Sequence, residues 1–457
     1  MSSGSSSRTI ITGGAIVPDP RNGVVMKDAA VVIEGGRVRS VGPAGEISRA
    51  GDVETIDATG RLVMPGLINA HTHLYSSLAR GITSEIAPSA NFVEILEHLW
   101  WPLDGALTLD DVRSSAMAGA LDLVRNGTTT IVDHHAGQSA VAGSLDAVAD
   151  GVLSIGLRAN LCYEVTDRLG SEASAAGLAE NERFARRVRD GRGEAEATGG
   201  PPSLLGASVG LHAAFTVDDS TLDRAAGIAA DLGVGCHLHV AEAVSDEEES
   251  LRRSGVRVVE RLMKHGVLGA STLTAHCNHI DPTEMAILRE TGTAVVHNPQ
   301  SNMNNAVGTA PVPIFLEEGL LVGLGTDGFT PSMFDEMKVA NLIHRHEAGD
   351  PAVGHDVAAR LCFEGNPEIA SRLFGEPIGT LAPGAPADII VLEYDPPTPY
   401  ANGNLPGHVI FGLTGWMVET VIVNGRQIMR SREFTEVDAA AVAAEARERA
   451  AALWSRV

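Results

Sequence analysis

Two histidines two residues apart, His71 and His73, are the first residues of this sequence whose types and spacing suggest chemistry. They end the apolar run LVMPGLINAHTH, which is rich in residues that favour strands. Because alternate side chains of a strand lie on the same face, both imidazoles can point into one small volume. Two neutral imidazoles converging on one point make half of a metal site. Such pairs also occur by chance, so the other half must come from elsewhere in the chain.

The elements that must position these histidines are apolar, strand-sized runs in the central segment, residues 60–365. Helical segments such as DVRSSAMAGALDLVRNG separate them. Near-continuous hydrophobic runs alternating with helices are typical of parallel strands buried on both faces, and eight of them favour a (β/α)8 TIM-type barrel. A doubly wound open sheet is the alternative. The runs are LVMPGLINAHTH, TTTIVDHHA, LRANLCYEV, LLGASVGLHA, VGCHLHVAE, STLTAHCNH, TAVVHNPQSN and LLVGLGTDG.

Most of these runs end in a polar or ionisable residue, and this regularity indicates an enzyme. In a (β/α)8 barrel the carboxyl ends of the strands and the loops after them form the active site. A chance distribution would scatter such residues among helices and loops. The residues at the ends are His71 and His73, His134 and His135, Glu164, His212, His239 and Glu242, His276, Asn298 and Asn302, and Asp327.

Three imidazoles and one carboxylate among these residues form the predicted metal site: His71, His73, His239 and Asp327. With room for a water molecule, this donor set matches an open catalytic site rather than a closed structural one. A bound cation would lower the pKa of its water and supply hydroxide near neutral pH. His237 points to the same face as His239, so the local sequence leaves open which of the two binds metal.

Glu242 is the predicted proton carrier, since its position three residues after His239 lets it reach the water without binding the metal. A carboxylate there can take a proton from the water and give it to a leaving group. His276 is suited to hydrogen-bond the attacking oxygen, and His212 could hold the substrate. Asp327 is expected to take part in catalysis as well as in metal binding.

The few lysines of the chain bear on the number of metal ions. Two-metal sites in barrels of this kind often need a carboxylated lysine that bridges the ions. The three lysines of the sequence, Lys27, Lys264 and Lys338, lie outside every predicted barrel strand. The sequence therefore predicts one divalent ion.

Composition narrows the partners to small molecules. With 34 Lys and Arg against 58 Asp and Glu, the formal charge is −24, which disfavours a nucleic-acid partner. No run is long enough to span a bilayer, and no basic cluster suits a membrane surface. The terminal MSSGSSSR lacks the apolar core of a signal peptide. Four scattered cysteines in apolar contexts suggest buried thiols, so we expect a cytoplasmic protein, with a homodimer allowed by its surface.

The chain ends differ from the centre and predict a second, smaller domain. Short strand-like runs broken by Gly and Pro precede the barrel, and similar runs such as PADIIVLEYD and VETVIVNGRQIMR follow it. We expect one discontinuous β-sandwich built from both termini. The predicted organisation is 1–60 and 369–435 for the β-sandwich, 61–368 for the metallohydrolase barrel and 436–457 for a terminal helix.

Five motifs together resemble the amidohydrolase superfamily: HTH after MPGLINA, HLHVAE, TAHCNH, HNPQSNMNN and LGTDG. The similarity covers nearly the whole chain, including PGAPADIIVL and VIVNGRQI of the β-domain. It is closest to the branch of cytosine deaminases, guanine deaminases and chlorohydrolases. Within that branch, WWPLD, VDHHA, SNMNNAVG and the stretch TDGF to MFDEMK look most like the aminohydrolases called SsnA.

The resemblance implies a mononuclear metal, usually zinc and sometimes iron. It assigns the four ligands named above, Glu242 as proton shuttle and His276 as the partner that polarises the oxygen. It favours His239 over His237, because the matching histidine lies three residues before the glutamate. Further substrate contacts are expected at His212, His134, Trp100, Asn302 and Asn304.

The expected reaction is hydrolytic deamination of an amino-substituted heterocycle of purine, pterin, pyrimidine or triazine type, with release of ammonia. The same site could instead hydrolyse a cyclic amide C–N bond or displace another leaving group such as chloride. A catalytically silent metal-binding barrel is the remaining alternative. It would be marked by loss of Glu242 or a ligand, and none is lost here.

Overall fold

A computed structural model describes residues 8–48, 50–82, 86–198, 203–354, 356–401 and 403–457. The N-terminal segment MSSGSSSR, in which the sequence shows no signal peptide, falls mainly on residues 1–7, outside this range. In the described part the strands are β1 (Arg8–Thr12), β2 (Ala15–Ile16), β3 (Ala29–Glu34), β4 (Arg37–Pro43), β5 (Val53–Asp57), β6 (Leu62–Pro65), β7 (Leu67–Thr72), β8 (Thr128–His135), β9 (Arg158–Tyr163), β10 (Leu205–Ala207), β11 (Val209–Ala213), β12 (Cys236–Val240), β13 (Leu273–His276), β14 (Ala294–His297), β15 (Val322–Leu324), β16 (Ile389–Leu392), β17 (Val418–Val423), β18 (Arg426–Arg430) and β19 (Glu433–Phe434).

The helices alternate with the central strands. Within the same range they are α1 (Phe92–Ile95), α2 (Trp101–Ala106), α3 (Leu109–Arg125), α4 (Ser144–Ile155), α5 (Ser171–Thr198), α6 (Asp219–Leu232), α7 (Val244–Ser254), α8 (Val258–Lys264), α9 (Pro282–Thr291), α10 (Pro299–Asn304), α11 (Val312–Glu317), α12 (Met333–Ala348), α13 (Val357–Arg360), α14 (Asn366–Phe374), α15 (Leu405–Phe411) and α16 (Ala439–Trp454). None of them has the length and apolar character that crossing a membrane requires, among the residues described.

The central strands form the predicted (β/α)8 barrel rather than an open sheet. One parallel sheet has the order β10-β9-β8-β7 and another the order β11-β12-β13-β14-β15. Parallel bridges join them at both seams, between Val165 and Leu211 and between Thr72 and Asp327. At the second seam the His71 carbonyl accepts hydrogen bonds from the amides of Thr326 and Asp327, both at 3.0 Å. The first strand and the last are therefore neighbours, as in a closed barrel.

Two of the eight predicted strand runs are each divided in the structure. The first run breaks at Gly66, so that Leu62–Pro65 pairs with β16 of the terminal β-domain while Leu67–Thr72 enters the barrel. A side chain at Gly66 would overlap Thr129 at 2.2 Å. The fourth run breaks at Ser208 into β10, which pairs with β9, and β11, which pairs with β12.

Strands from both chain ends share the mixed sheet β19-β18-β17-β16-β6-β2, and a second sheet has the order β4-β3-β1-β5. Ile11, Val31, Val63, Ile389 and Ile422 lie in one buried apolar cluster that joins the two sheets. Because β6 belongs to this β-domain and α14 continues to Phe374, we propose domain boundaries at Pro65 and Phe374 in place of residues 60 and 368.

The terminal helix packs on the outside of the barrel. The predicted segment 436–457 contains α16, whose Trp454 indole Nε1 donates to the Leu78 carbonyl at 2.8 Å. Arg449 also forms an ion pair with Asp110 at 2.9 Å, at the start of α3. All four cysteines of the sequence are buried thiols, as the sequence predicts.

Candidate active site

The predicted site residues meet at the carboxyl ends of the barrel strands. His71 lies in β7, His239 in β12 and His276 in β13, while His73 and Asp327 follow the ends of β7 and β15. Single ligand atoms of His71, His73, His239 and Asp327 lie within 4.8 Å of one another. The Asp327 Oδ1 atom is 3.0 Å from His73 Nε2 and 3.6 Å from His71 Nε2. The structure thus brings together the four residues predicted as metal ligands.

The hydrogen bonds behind the three imidazoles turn their Nε2 atoms toward this common point. His73 Nδ1 contacts the His134 carbonyl at 2.6 Å, and His239 Nδ1 contacts the His212 carbonyl at 3.3 Å. Since a carbonyl only accepts, each Nδ1 carries a proton, and in the neutral ring each Nε2 offers a lone pair. His71 Nε2 is buried and has no hydrogen-bond partner among the described residues. Three such nitrogens beside a carboxylate oxygen fit a divalent cation, and outer hydrogen bonds of this kind are typical of metal sites.

The structure separates the two histidines that the local sequence left equivalent. His237 Nε2 lies 2.9 Å from His71 Nδ1, on the side of that ring away from Asp327. His239 Nε2 lies 3.2 Å from His73 Nε2, inside the group of donors. His239 therefore belongs to the donor set, whereas His237 supports His71 from behind.

Glu242 stands beside the donor set with its carboxyl buried. Its Oε2 is 3.5 Å from His276 Nε2, and its Oε1 accepts a hydrogen bond from Asn305 Nδ2 at 3.3 Å. Burial raises the pKa of the Glu242 carboxyl well above its ordinary value, and the negative charge of Asp327 raises it further. A carboxyl group that holds its proton in this way is suited to general acid–base work.

His276 is aimed by a strained turn. Its φ of 73° lies in the left-handed region, and the Cys277 amide donates to the Ala275 carbonyl at 3.2 Å, which closes a three-residue γ-turn. Turns of this hand are rare for residues with a side chain. Ala241 and Asp327 also have positive φ, at 46° and 52°. Backbone strain thus concentrates at the site, a common property of functional positions.

An aromatic cavity opens over the donor set. The helical segment that carries Phe92, Leu96, Trp100 and Trp101 forms one wall, and it contains a π-helical turn at Leu96–Trp100. Such turns are frequent at functional sites. The rest of the wall includes Tyr75, Ser76, Asp104, Glu164, His212, Ser301, Asn304, Asn305 and Phe329.

Of the predicted substrate contacts, His212, Trp100 and Asn304 line the cavity, while His134 and Asn302 do not. His134 is fully buried, with Nδ1 3.1 Å from Glu164 and Nε2 3.1 Å from the Leu211 carbonyl. Asn302 is 1% exposed, and its Oδ1 lies 2.7 Å from His276 Nδ1. The placement of these two side chains differs from the prediction because each is held behind the wall by its own hydrogen bonds.

Several residues of the site gave no recognisable signal in the sequence. The buried carboxylate of Asp104 forms an ion pair with Arg168, whose guanidinium lies 4.7 Å from the centre of the Trp101 ring. Burial raises the pKa of Asp104 to about 7, although Arg168 opposes the shift. Ser301 Oγ donates to Asp327 Oδ2 at 2.5 Å. Asp104 is the last residue of the WWPLD motif and Ser301 the first of SNMNNAVG, but neither motif by itself indicates these contacts.

A parallel barrel that gathers three imidazoles and a carboxylate beside a second, buried carboxyl group is typical of a metal-dependent hydrolase. A sequence model of the amidohydrolase family matches residues 62–428, and the chain belongs to that family. This membership confirms both the predicted family and the prediction of an enzyme.

Similar proteins include a 5-methylthioadenosine/S-adenosylhomocysteine deaminase of Desulforudis audaxviator, 33% identical over 434 residues, which are 93% of this chain and 95% of that protein. A 5'-deoxyadenosine deaminase of Methanosarcina mazei is 32% identical and covers 96% of each chain.

A crystal structure of an adenosine deaminase from Xanthomonas campestris with bound zinc has a TM-score of 0.86 at 24% identity, over 98% of this chain and 99% of that chain. An atrazine chlorohydrolase from Arthrobacter aurescens complexed with zinc has a TM-score of 0.81 at 22% identity, over 97% and 100%. At these identities the likeness to both structures concerns the fold.

Proposed function

We propose that this protein hydrolytically deaminates an amino-substituted heterocycle of the adenosine type and releases ammonia. The observation that carries the proposal is a buried carboxyl, Glu242, beside a converging set of metal-ligand atoms at the base of an aromatic cavity. The names of the relatives support an adenosine-type ring among the heterocycles that the sequence allows.

We assign one divalent cation, zinc rather than iron, to His71, His73, His239 and Asp327. When bound, the cation acidifies a water molecule and stabilises the charge that develops on the attacked ring. A second group of possible ligands consists of His73, His134, Glu164 and His239. It shares two members with the first, and both ring nitrogens of His134 are already engaged. This overlap argues for a single ion.

The side chains around the donor set supply the proton transfers. Glu242, as the carboxylate, takes one proton from the attacking water and gives it to the ring nitrogen next to the attacked carbon. It then takes the second proton from the hydroxyl group added to that carbon and gives it to the amine, which departs as ammonia. His276 Nε2 faces the same space and can hold the attacking oxygen through a hydrogen bond. Asn305 orients Glu242 by donating to its Oε1 atom.

The cavity wall is suited to a flat ring. Trp100, Trp101 and Tyr75 present aromatic surface, and planar heterocycles stack on such surfaces. His212 and Asn304 are the polar side chains that we assign to contacts with the ring edge. We further propose an SsnA-like enzyme of the cytoplasm, since four buried thiols suit a reducing compartment. A homodimer stays a prediction.

Product analysis tests the proposal against its rivals. Purified protein loaded with zinc would be assayed with 5'-deoxyadenosine, 5-methylthioadenosine, S-adenosylhomocysteine, aminopterins and chlorotriazines. We expect ammonia in a one-to-one ratio to substrate consumed, for at least one adenosine-type compound. Chloride release, or ring opening without ammonia, would instead support the displacement or cyclic-amide reaction. Failure of all substrates with full metal occupancy would contradict the proposal.

A further inference from the structure

We propose that Asn278 and Asn302 are positioning residues that fix which nitrogen of His276 carries the proton. They do so through a chain of hydrogen bonds from the main-chain carbonyl of Glu242 to His276 Nδ1. The catalytic consequence rests on the proposed function, whereas the effect on the imidazole can be measured without it. Neither asparagine lines the cavity, so we expect their effect on turnover to pass through His276 and Glu242, the catalytic side chains that this chain connects.

The chain consists of three short hydrogen bonds between buried groups. Asn278 Nδ2 donates to the Glu242 carbonyl at 2.9 Å. Asn302 Nδ2 donates to Asn278 Oδ1 at 2.8 Å, and Asn302 Oδ1 lies 2.7 Å from His276 Nδ1. Asn278 is 8% exposed, Asn302 is 1% exposed and His276 is fully buried, so water does not compete freely for these groups.

The direction of every bond in the chain follows from its first member. A main-chain carbonyl has no proton, so Asn278 must turn its amide nitrogen toward Glu242. Its oxygen then faces Asn302, which must also present its amide nitrogen. This leaves the Asn302 oxygen for His276, and an oxygen acceptor requires the proton on Nδ1. The hydrogen-bond network therefore sets the orientation of both side-chain amides.

The other nitrogen of His276 consequently offers a lone pair to the active site. His276 Nε2 is buried without a hydrogen-bond partner among the described residues. It lies 3.5 Å from Glu242 Oε2 and 3.9 Å from Asp327 Oδ2. The negative charge of Asp327 in front of Nε2 would by itself favour a proton on that nitrogen, so the asparagine chain acts against it. The result is an acceptor placed to receive a hydrogen bond from the attacking water.

The same chain also links the two catalytic side chains mechanically. It begins at the Glu242 carbonyl, while the Glu242 amide donates to Asp246 Oδ2 at 3.0 Å. The main chain of Glu242 is thus held on both sides, and one of those contacts leads to His276. A shift of either asparagine would alter the protonation pattern of His276 and the position of Glu242 together.

The first test is spectroscopic and uses the zinc-loaded enzyme labelled with [15N]histidine. Long-range 1H–15N correlation spectra distinguish imidazoles protonated at Nδ1 from those protonated at Nε2, and the His276→Gln variant identifies the His276 signals. We expect the Nδ1–H form in the wild type and in Asn302→Gln, which keeps both an amide oxygen and an amide nitrogen. We expect the Nε2–H form in Asn302→Leu, where that acceptor is gone.

The second test is kinetic and uses the same variants with the best substrate found. We expect Asn302→Leu and Asn278→Leu to lower kcat about 10- to 100-fold with KM changed less than about threefold, since outer-sphere supports act at this scale. Asn302→Gln should keep more of kcat than Asn302→Leu. Asn341→Leu is the matched control, because Asn341 is also fully buried but its amide has no hydrogen-bond partner in the described chain.

The outcomes separate this inference from the proposed function. A wild-type enzyme that releases ammonia, with Asn302→Leu as active as wild type, would overturn the inference alone. An Nε2–H signal for His276 in the wild type would overturn it as well, whatever the substrate. A tautomer change in Asn302→Leu without any deaminase activity in the wild type would uphold the hydrogen-bond chain and refute the proposed function.

Discussion

His73 Nε2 and His239 Nε2 face each other at 3.2 Å, and the opposite nitrogen of each ring donates to a carbonyl, so two neutral rings would turn lone pairs toward each other. Two lone pairs at this distance repel unless a proton or a cation lies near them. Asp327 Oδ1, 3.0 Å from His73 Nε2, adds a negative charge to the same point. The electrostatics of this pair therefore favour a cation between the two rings.

Changing Glu242 to Gln should remove most of the turnover and leave the metal content unchanged. Glutamine keeps the size and one hydrogen-bond acceptor but cannot carry the proton, so we expect kcat to fall about 10²- to 10⁴-fold. Ammonia release and elemental analysis measure the two quantities. Glu248→Gln, on the exposed side of α7, is the control. A Glu242→Gln enzyme with wild-type kcat would exclude Glu242 as the proton carrier.

Changing Asp327 to Ala should lower zinc occupancy after dialysis. The substitution removes the carboxylate that lies within reach of two imidazoles and accepts from Ser301. We expect occupancy to drop about 10-fold or more under conditions in which the wild type stays loaded. Asp335→Ala, at an exposed position of α12, should stay fully loaded. Full occupancy in Asp327→Ala would mean that the fourth ligand is a different group.

Asp246 should make the stability of the protein depend on pH. Burial, followed by the charge of Glu242, raises the pKa of Asp246 from 3.8 to about 8 in the folded protein. Because the folded pKa exceeds the unfolded one, the folded state binds the proton more tightly, and this group costs stability as the pH rises from about 4 to 8.

The Asp246→Asn variant keeps an oxygen acceptor for the Glu242 amide but does not ionise. The difference in unfolding free energy between the variant and the wild type should therefore grow in favour of the variant as the pH rises. At pH 8 we expect it to be larger than at pH 5 by on the order of 1–3 kcal/mol. Denaturant unfolding at pH 5 and pH 8 measures the difference. A constant gap between the two proteins would contradict the assignment.

Arg168→Met should destabilise the cavity wall more than loss of the whole ion pair does. It leaves the Asp104 carboxylate, 3% exposed, without the guanidinium that neutralises it, and this costs on the order of 3 kcal/mol. Adding Asp104→Asn to Arg168→Met, as a double variant, should restore much of that stability, because the asparagine amide carries no charge. Thermal melts of both variants give the comparison. Equal melting temperatures of the two variants would show that the unpaired Asp104 carboxylate costs little stability.

Local pattern was sufficient for the barrel and for the convergence of the candidate metal ligands at one end of it. Strand alternation predicts that His71 and His73 share a face, and buried runs with polar ends predict where the active site lies. It could not separate His237 from His239, because both fit the alternation of the same strand. Their difference arises only from β7 on the opposite side of the barrel, where His71 Nδ1 meets His237 Nε2 at 2.9 Å.

Contacts between distant segments were beyond local reasoning. Asn278 and Asn302 are 24 residues apart and Asp104 and Arg168 are 64 apart, so no periodic pattern connects either pair. The positive φ of His276 was equally hidden, because the tertiary packing around that residue sets it. Asn302 and His134 were expected in the cavity for their chemistry, while their hydrogen bonds place them behind its wall.

The seam between the first and the last barrel strand has a mechanical consequence. His71 and Asp327 belong to opposite sides of this seam, and the Asp327 amide donates to the His71 carbonyl. A cation held by both side chains would cross-link the two strands and stabilise the closure of the barrel. We therefore expect stripping of the metal to speed amide hydrogen exchange at Thr326 and Asp327 before the other strands respond. In such an enzyme, the supply of the ion would determine the stability of the folded barrel as well as the rate of turnover.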